Sequence, residues 1–208
     1  LEIWQGLRLT SILGNSAVVE GKPYVIYRPG GFAQASWQSN QLLVDEVMKH
    51  VLSLNKPSVL ELYAGCGNFS IPLAAQGAQV LALDNNLYAL KDGTEAARQQ
   101  SLEKQVSFQT FDDQRDSLQS LVQRKAFRPD ILLLDPPRRG VEPKVRKEIV
   151  KLAPPQILYV SCDPATLSRD LQSFLSAGYV IESLKAIDLM PHTSHVETVV
   201  LLVLGNSQ

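Results

Sequence analysis

The sequence predicts an α/β domain built on a mostly parallel sheet that closes with an antiparallel pair. Three observations carry this. First, five short aliphatic runs, Val59–Tyr63, Val80–Asp84, Val106–Phe111, Ile131–Asp135 and Ile157–Cys162, alternate with segments of helical periodicity. Runs of this length without polar alternation are strands covered on both faces, and their alternation with helices implies right-handed crossovers and parallel pairing. Second, two further β-like runs, Ile181–Leu189 and Val196–Leu204, are joined through Pro191-His-Thr-Ser-His195, a stretch too short for a helix, so they pair antiparallel. Third, 45% apolar and 20% charged residues in 208 describe an ordinary globular chain, large enough to bury a core without staples.

Taken in order, residues 1–30 stand apart as a β appendage, the remnant of an N-terminal or central region. Leu7–Leu13 and Ala17–Tyr27 read as strands around a Gly14-Asn15-Ser16 turn, and Pro29-Gly30-Gly31 breaks the pattern. The main domain is assigned to 31–208. Gln41–Leu52 reads as a helix before Lys56-Pro57. Asn68–Gln76 starts just after glycines, and Leu87–Leu102 is rich in Ala, Gln, Arg and Glu. Arg115–Arg124 places Leu118, Leu121 and Val122 at helical spacing. Glu142–Leu152 puts Val145, Ile149 and Leu152 on one face and Lys144, Lys147 and Lys151 on another. Pro164–Ala177 has Pro in its first turn and stops before Gly178. Five parallel strands followed by an antiparallel pair is the Rossmann-like arrangement of class I S-adenosylmethionine (SAM)-dependent methyltransferases. A plain dinucleotide dehydrogenase lacks the reversed strand.

Global properties exclude several classes. No apolar run reaches the ~20 residues that span a bilayer. No basic-then-apolar leader opens the chain, which predicts a cytoplasmic protein. The two cysteines, Cys66 and Cys162, lie far apart in dissimilar surroundings and read as free thiols. A net charge of −1 does not announce a nucleic-acid binder. The chain opens on Leu1 rather than Met, which suggests a piece of something longer.

One group of motifs points to a nucleoside cofactor. Glu61-Leu-Tyr-Ala-Gly-Cys-Gly-Asn-Phe-Ser70 follows a strand and opens a helix. Glycines let the backbone approach a ligand, and a helix start offers unpaired N–H groups. The pattern is Gly65-Cys66-Gly67 with Ser70 where a dinucleotide site has its third glycine; an ordinary tight turn is the bland alternative. Asp84 ends the next strand, where a carboxylate can accept from both hydroxyls of a ribose. Asp112 and Asp113 follow the third run, either as a contact to an adenine amino group or as a solvated turn. Asp135-Pro-Pro-Arg138 ends the fourth run, at the edge where open α/β sheets bind ligands.

A second group points to covalent chemistry. Ser161-Cys-Asp-Pro-Ala-Thr-Leu-Ser-Arg-Asp170 follows the fifth run. Cys162 sits where a strand turns into a helix, a position that depresses a thiol pKa; its alternative is a buried small hydrophobe. Cys66, inside the glycine turn, reads as packing. Glu197 enters the last apolar run as either a satisfied strand-end acid or a base facing the site.

In these motifs the chain resembles the RNA uracil-C5 methyltransferases, the tRNA and rRNA (uracil-5-)-methyltransferases, in their catalytic region. The matching pieces are Phe32-Ala-Gln34 with Asn40-Gln41, Leu62-Tyr-Ala-Gly-Cys-Gly-Asn-Phe-Ser70, Asp135-Pro-Pro-Arg-Arg-Gly140, Ser161-Cys-Asp-Pro-Ala-Thr-Leu167 and His195-Val-Glu-Thr-Val199. The resemblance implies SAM contacts from Gln34, Tyr63, Asn68, Asp84 and Asp135, alongside Gly65 and Gly67 of the turn, with Asp112 as a further candidate. It implies Cys162 as nucleophile and Glu197 as base in methylating C5 of a uridine. The family usually has Glu where Asp84 stands, and an Asn where Ser36 stands.

Residues 138–151 hold six basic and two acidic side chains. Arg138 and Arg139 flank the Asp-Pro-Pro loop and are the candidate contacts to an RNA substrate, while the lysines suit a solvated helix face. Relatives often carry an N-terminal RNA-binding domain or a cysteine cluster; neither is visible here, which predicts weak RNA binding by this chain. Three competing readings differ in what they need. An amino-group methyltransferase would use Asp135-Pro-Pro-Arg138 without Cys162. A non-catalytic SAM- or RNA-binding module would transfer nothing. A dehydrogenase would bind a nicotinamide.

Overall fold

The computed structural model describes residues 9–13, 16–19, 23–27, 37–188 and 196–205. β1 (Leu9–Leu13) and β2 (Ser16–Val19) form an antiparallel hairpin apart from the main sheet. The second expected strand of that region ran to Tyr27. Instead Tyr24 is bonded to a helix of the main body: its N–H donates to Gln100 Oε1 at 3.0 Å and its carbonyl accepts from Gln100 Nε2 at 2.9 Å. A side-chain amide there does the work of a partner strand, and Ile26 is buried in the core.

The main sheet has seven strands: β3 (Ser58–Leu62), β4 (Gln79–Asp84), β5 (Val106–Thr110), β6 (Ile131–Leu134), β7 (Gln156–Ser161), β8 (Tyr179–Ile187) and β9 (Glu197–Leu204). Their order across the sheet is β5-β4-β3-β6-β7-β9-β8. The first five pair in parallel, whereas β9 inserts between β7 and β8 and is antiparallel to both. The predicted pair therefore forms, and its second member is inserted rather than added outside.

Among the described residues, three helices cover each face. α1 (Trp37–Val51), α2 (Ser70–Ala75) and α3 (Leu87–Gln99) enclose a core with Leu43, Val47, Val59, Ile71 and Leu133. α4 (Leu118–Arg124), α5 (Pro143–Leu152) and α6 (Pro164–Leu175) enclose the other with Leu60, Leu62, Leu132, Tyr159 and Phe174. The two-residue period explains the division, since Val59 and Leu60 point to opposite faces. Burying each large side chain contributes about 1.5–3 kcal/mol. α4 starts later than its periodicity suggests. Asp112 and Ser117 compete for backbone donors: Asp112 Oδ1 takes Gln114 N–H and Arg115 N–H, and Ser117 caps the helix at Ser120 N–H. Among the described residues no helix is long and apolar enough to cross a membrane.

Candidate active site

Parallel strands deliver their C-terminal ends to one edge of the sheet. Across that edge lie Asp112 and Asp113 after β5, Asp84 at the end of β4, the Tyr63–Asn68 turn after β3, Asp135 after β6 and Cys162 after β7. Because β9 runs the other way, its first residue reaches the same edge. Ser161 of β7 pairs with Thr198 of β9, and the next residue outward is Cys162 on one strand and Glu197 on the other. Strand reversal thus brings together two residues 35 positions apart in the chain.

On the cofactor side the turn begins with Tyr63 at φ +65, a left-handed conformation that strains a residue with a β-carbon by about 1–2 kcal/mol. The Tyr63 hydroxyl donates to Asp113 Oδ2 at 3.2 Å. Gly67 follows at φ +93, and a β-carbon there would meet Phe108 Cζ at 2.7 Å. Both oxygens of Asp84 are used: Oδ2 accepts Gly65 N–H at 2.8 Å and Oδ1 accepts Asn86 N–H at 2.7 Å. Asn68 exchanges two hydrogen bonds with buried Asn40 of α1, at 2.8 and 3.0 Å. Asn40 therefore orients the predicted cofactor contact.

Glu61 was quoted in the motif but not foreseen as a site residue. It faces the α1–α3 side, flanked on neighbouring strands by Ala82 and Leu133, and is almost fully buried. Ser70 Oγ donates to its Oε2, and its Oε1 has no partner. Burial raises its pKa to about 8, helped by the charges of Asp135 and Asp84. Asp135 is likewise raised, to about 7, by burial and then by Glu197 and Asp84. A carboxylate on a strand between apolar neighbours was the available sequence signal.

The thiol of Cys162 corrects an expectation. A helix start was expected to depress its pKa, but burial raises it, reinforced by Glu197 and Asp135. Backbone hydrogen bonding and Arg138 act in the opposite direction. The α6 start is already taken, because Asp163 caps it by accepting Thr166 N–H at 2.8 Å. Glu197 is raised by burial.

Arg139, the second predicted RNA contact, is 43% exposed and also bonded within the protein. Its Nη2 donates to buried Asp113 at 2.7 Å and its Nη1 to Glu142 at 2.7 Å. Asp112 spends Oδ1 on its own turn, which competes with a contact to adenine. Arg138 is exposed at the site. Gln34 and His195 lie outside the described residues.

A sheet with one inserted reversed strand, a glycine turn after its central strand and an acid ending the next is the fold of SAM-dependent methyltransferases. A magnesium protoporphyrin IX methyltransferase from Synechocystis, 18% identical, shares this fold at a TM-score of 0.62 over 83% of this chain and 86% of that one. Residues 12–204 match the tRNA (Uracil-5-)-methyltransferase family, and the chain belongs to it. It is 36% identical over 198 residues to an uncharacterized RNA methyltransferase of Thermotoga maritima, covering 94% of this chain and 44% of the relative. It is 36% identical over 180 residues to the 23S rRNA (uracil(1939)-C(5))-methyltransferase RlmD of Klebsiella pneumoniae, covering 85% and 40%. The Pyrococcus abyssi tRNA (uracil-54, C5)-methyltransferase, solved with S-adenosyl-L-homocysteine, is 30% identical with a TM-score of 0.74, covering 86% and 42%. The chain spans less than half the length of these uracil-methylating relatives.

Proposed function

We propose that this chain is the catalytic region of an enzyme that methylates C5 of a uridine in tRNA or rRNA. The observation that carries the reading is the meeting of Cys162 and Glu197 one step beyond the Ser161–Thr198 pair, with the charge of Glu197 felt by both Cys162 and Asp135.

The residues suit SAM. The donor is a cation, and Asp84, Asp135 and Glu197 are the acids at the edge where it would sit. A β-carbon placed on Gly65 would face open space, so the turn leaves room for a ligand. Tyr63, Gly65, Asn68, Asp84 and Asp135 would hold it, with Gln34 as the further contact the resemblance implies. When bound, SAM supplies an electrophilic methyl group on a sulfonium.

The chain's own residues perform the rest. C5 of uracil is a weak nucleophile. The Cys162 thiolate adds to C6 and makes C5 enolate-like, splitting a hard step into easier ones. Once C5 carries the methyl group, it also carries a hydrogen. Glu197, raised by burial, removes that proton, the C5–C6 double bond re-forms and Cys162 leaves. The target base must leave its stack to reach this edge. Because Asp135 and Glu197 favour the neutral thiol, Cys162 depends on positive charge at the site for its reactivity.

The test uses the full-length protein and RNA from cells lacking it, with 5-methyluridine mapped by mass spectrometry. Cys162→Ala is expected to lose methyl transfer by about 10³-fold or more while still binding SAM. Glu197→Gln is expected to accumulate a covalent RNA adduct that resists denaturing electrophoresis. Wild-type methyl transfer by Cys162→Ala would overturn the reading.

A further inference from the structure

The segment from Arg138 to Val141 is held by buried carboxylates that the proposed reaction does not use. Asp170, on α6, has no exposed surface. Its Oδ2 accepts Val141 N–H at 2.7 Å and the Tyr159 hydroxyl at 2.8 Å. Its Oδ1 accepts Arg146 Nη1 at 2.5 Å and Arg169 Nε and Nη2 at 2.9 and 2.8 Å. Arg169 Nη2 also donates to the carbonyl of Arg139 at 2.7 Å. Consecutive residues of one helix thus take the carbonyl before Gly140 and the N–H after it. Gly140 lies between them at φ +75, and a β-carbon there would collide with the Asp170 carboxylate and the Arg169 guanidinium. Only glycine lets the loop backbone approach these two side chains so closely. From the cofactor side, Asp113 holds the Arg139 guanidinium.

A buried carboxylate is costly to keep, and a fully bonded network around one rigidifies what it joins. This network joins three pieces of the site. Tyr159 lies on β7, three residues before Cys162. Asp170 lies on the helix that follows Cys162. Gly140 ends the loop that begins at Asp135.

We infer that Asp170 and Arg169 clamp the Arg138–Val141 segment onto α6 so that Arg138 is held beside Cys162. They are positioning residues and touch no reacting atom. The inference rests on the reading of Cys162 as nucleophile. Among the described residues, Glu197 from β9, Asp135 from the end of β6 and Arg138 from the clamped segment face Cys162. The two acids favour the thiol and Arg138 favours the thiolate. Releasing the clamp removes that cation from its place and leaves backbone hydrogen bonding to oppose the acids without it.

The test is the pH profile of Cys162 alkylation by iodoacetamide in the whole protein, read by peptide mapping. Arg169→Gln and Asp170→Asn should both move the midpoint to higher pH. The rate near neutral pH should fall roughly three- to tenfold, since one pKa unit is a tenfold change in thiolate. A purely structural role would lower Tm without moving this midpoint. Should Asp170→Asn not fold, Arg169→Gln decides, because Arg169 is half-exposed and its loss empties no core site. An unchanged Cys162 profile in folded Arg169→Gln would overturn the clamp. Failure of the nucleophile reading would show separately, as methyl transfer by Cys162→Ala.

Discussion

Two strand-to-helix turns at the same sheet edge each carry a cysteine, and they are built differently. After β3 the chain bends on Gly65 and Gly67 at φ +56 and +93, and α2 begins without a side-chain cap. After β7 there is no glycine; Asp163 adopts extended backbone and caps α6, with Pro164 at its first position. The first turn places its sulfur inside. Cys66 is 8% exposed, and burial pushes its thiol up to about 12. The second leaves Cys162 half-buried among Glu197, Asp135 and Arg138. A strand-to-helix turn therefore does not by itself make a reactive cysteine. Access and neighbouring charge decide it, and the glycine turn spends its freedom on making room for a ligand.

The comparison can be broken most directly by chemistry. At mildly alkaline pH, iodoacetamide should modify Cys162 at least about 100-fold faster than Cys66, measured by peptide mass spectrometry. Equal labelling would erase the distinction. Next, the two turns should respond differently to alanine. Gly67→Ala combines a left-handed φ with a clash against Phe108, and should cost about 2–4 kcal/mol in urea denaturation.

An intermediate effect comes from the acids between the turns. The folded domain holds a proton on Glu61 up to about pH 8, whereas an unfolded glutamate releases it near its ordinary value of 4.5. Across that window the folded state binds more protons, so stability falls as pH rises. Asp135, raised to about 7, adds to the same slope. Without ligand, Tm should decline across this range. Glu61→Gln should flatten the decline by about 1–2 kcal/mol, or roughly 2–8 °C, in calorimetry. A parallel pair of curves would show that Glu61 does not titrate there. The smallest effect is Asp163→Ala, which removes only a cap and should cost about 1 kcal/mol by the same urea assay.

Much of this was legible in the chain. The seven runs of the main sheet lie close to the observed strands, most plainly for β4, β6 and β7, whose buried positions are written as short, mostly aliphatic blocks. The ends of Glu142–Leu152 and Pro164–Ala177 were nearly right because proline, glycine and lysine mark helix limits locally. Of the strand expected over Ala17–Tyr27, Ala17–Val19 pairs with β1, whereas Tyr24 is bonded to the side chain of Gln100, 76 residues away, which no local pattern shows. The ion pair of Arg139 with buried Asp113 was not legible, because a basic residue beside a loop says nothing about a carboxylate across the edge. Asp170 read as one more polar helix residue, since only the fold shows that the Arg139 carbonyl and the Val141 N–H arrive beside it.

By itself, then, the sequence determined the layers, the edge that carries the site, the glycine turn and the family, all of which depend on local pattern or contiguous motif. The tertiary structure alone decided what depends on distant neighbours. It inserted β9 between β7 and β8 and set Glu197 beside Cys162. It raised the Cys162 thiol that a helix start was expected to lower, and gave Asp113 and Asp170 their partners. The physical reason is the same in each case: hydrogen bonds and charges act through space, and their strength depends on burial that no stretch of sequence specifies alone.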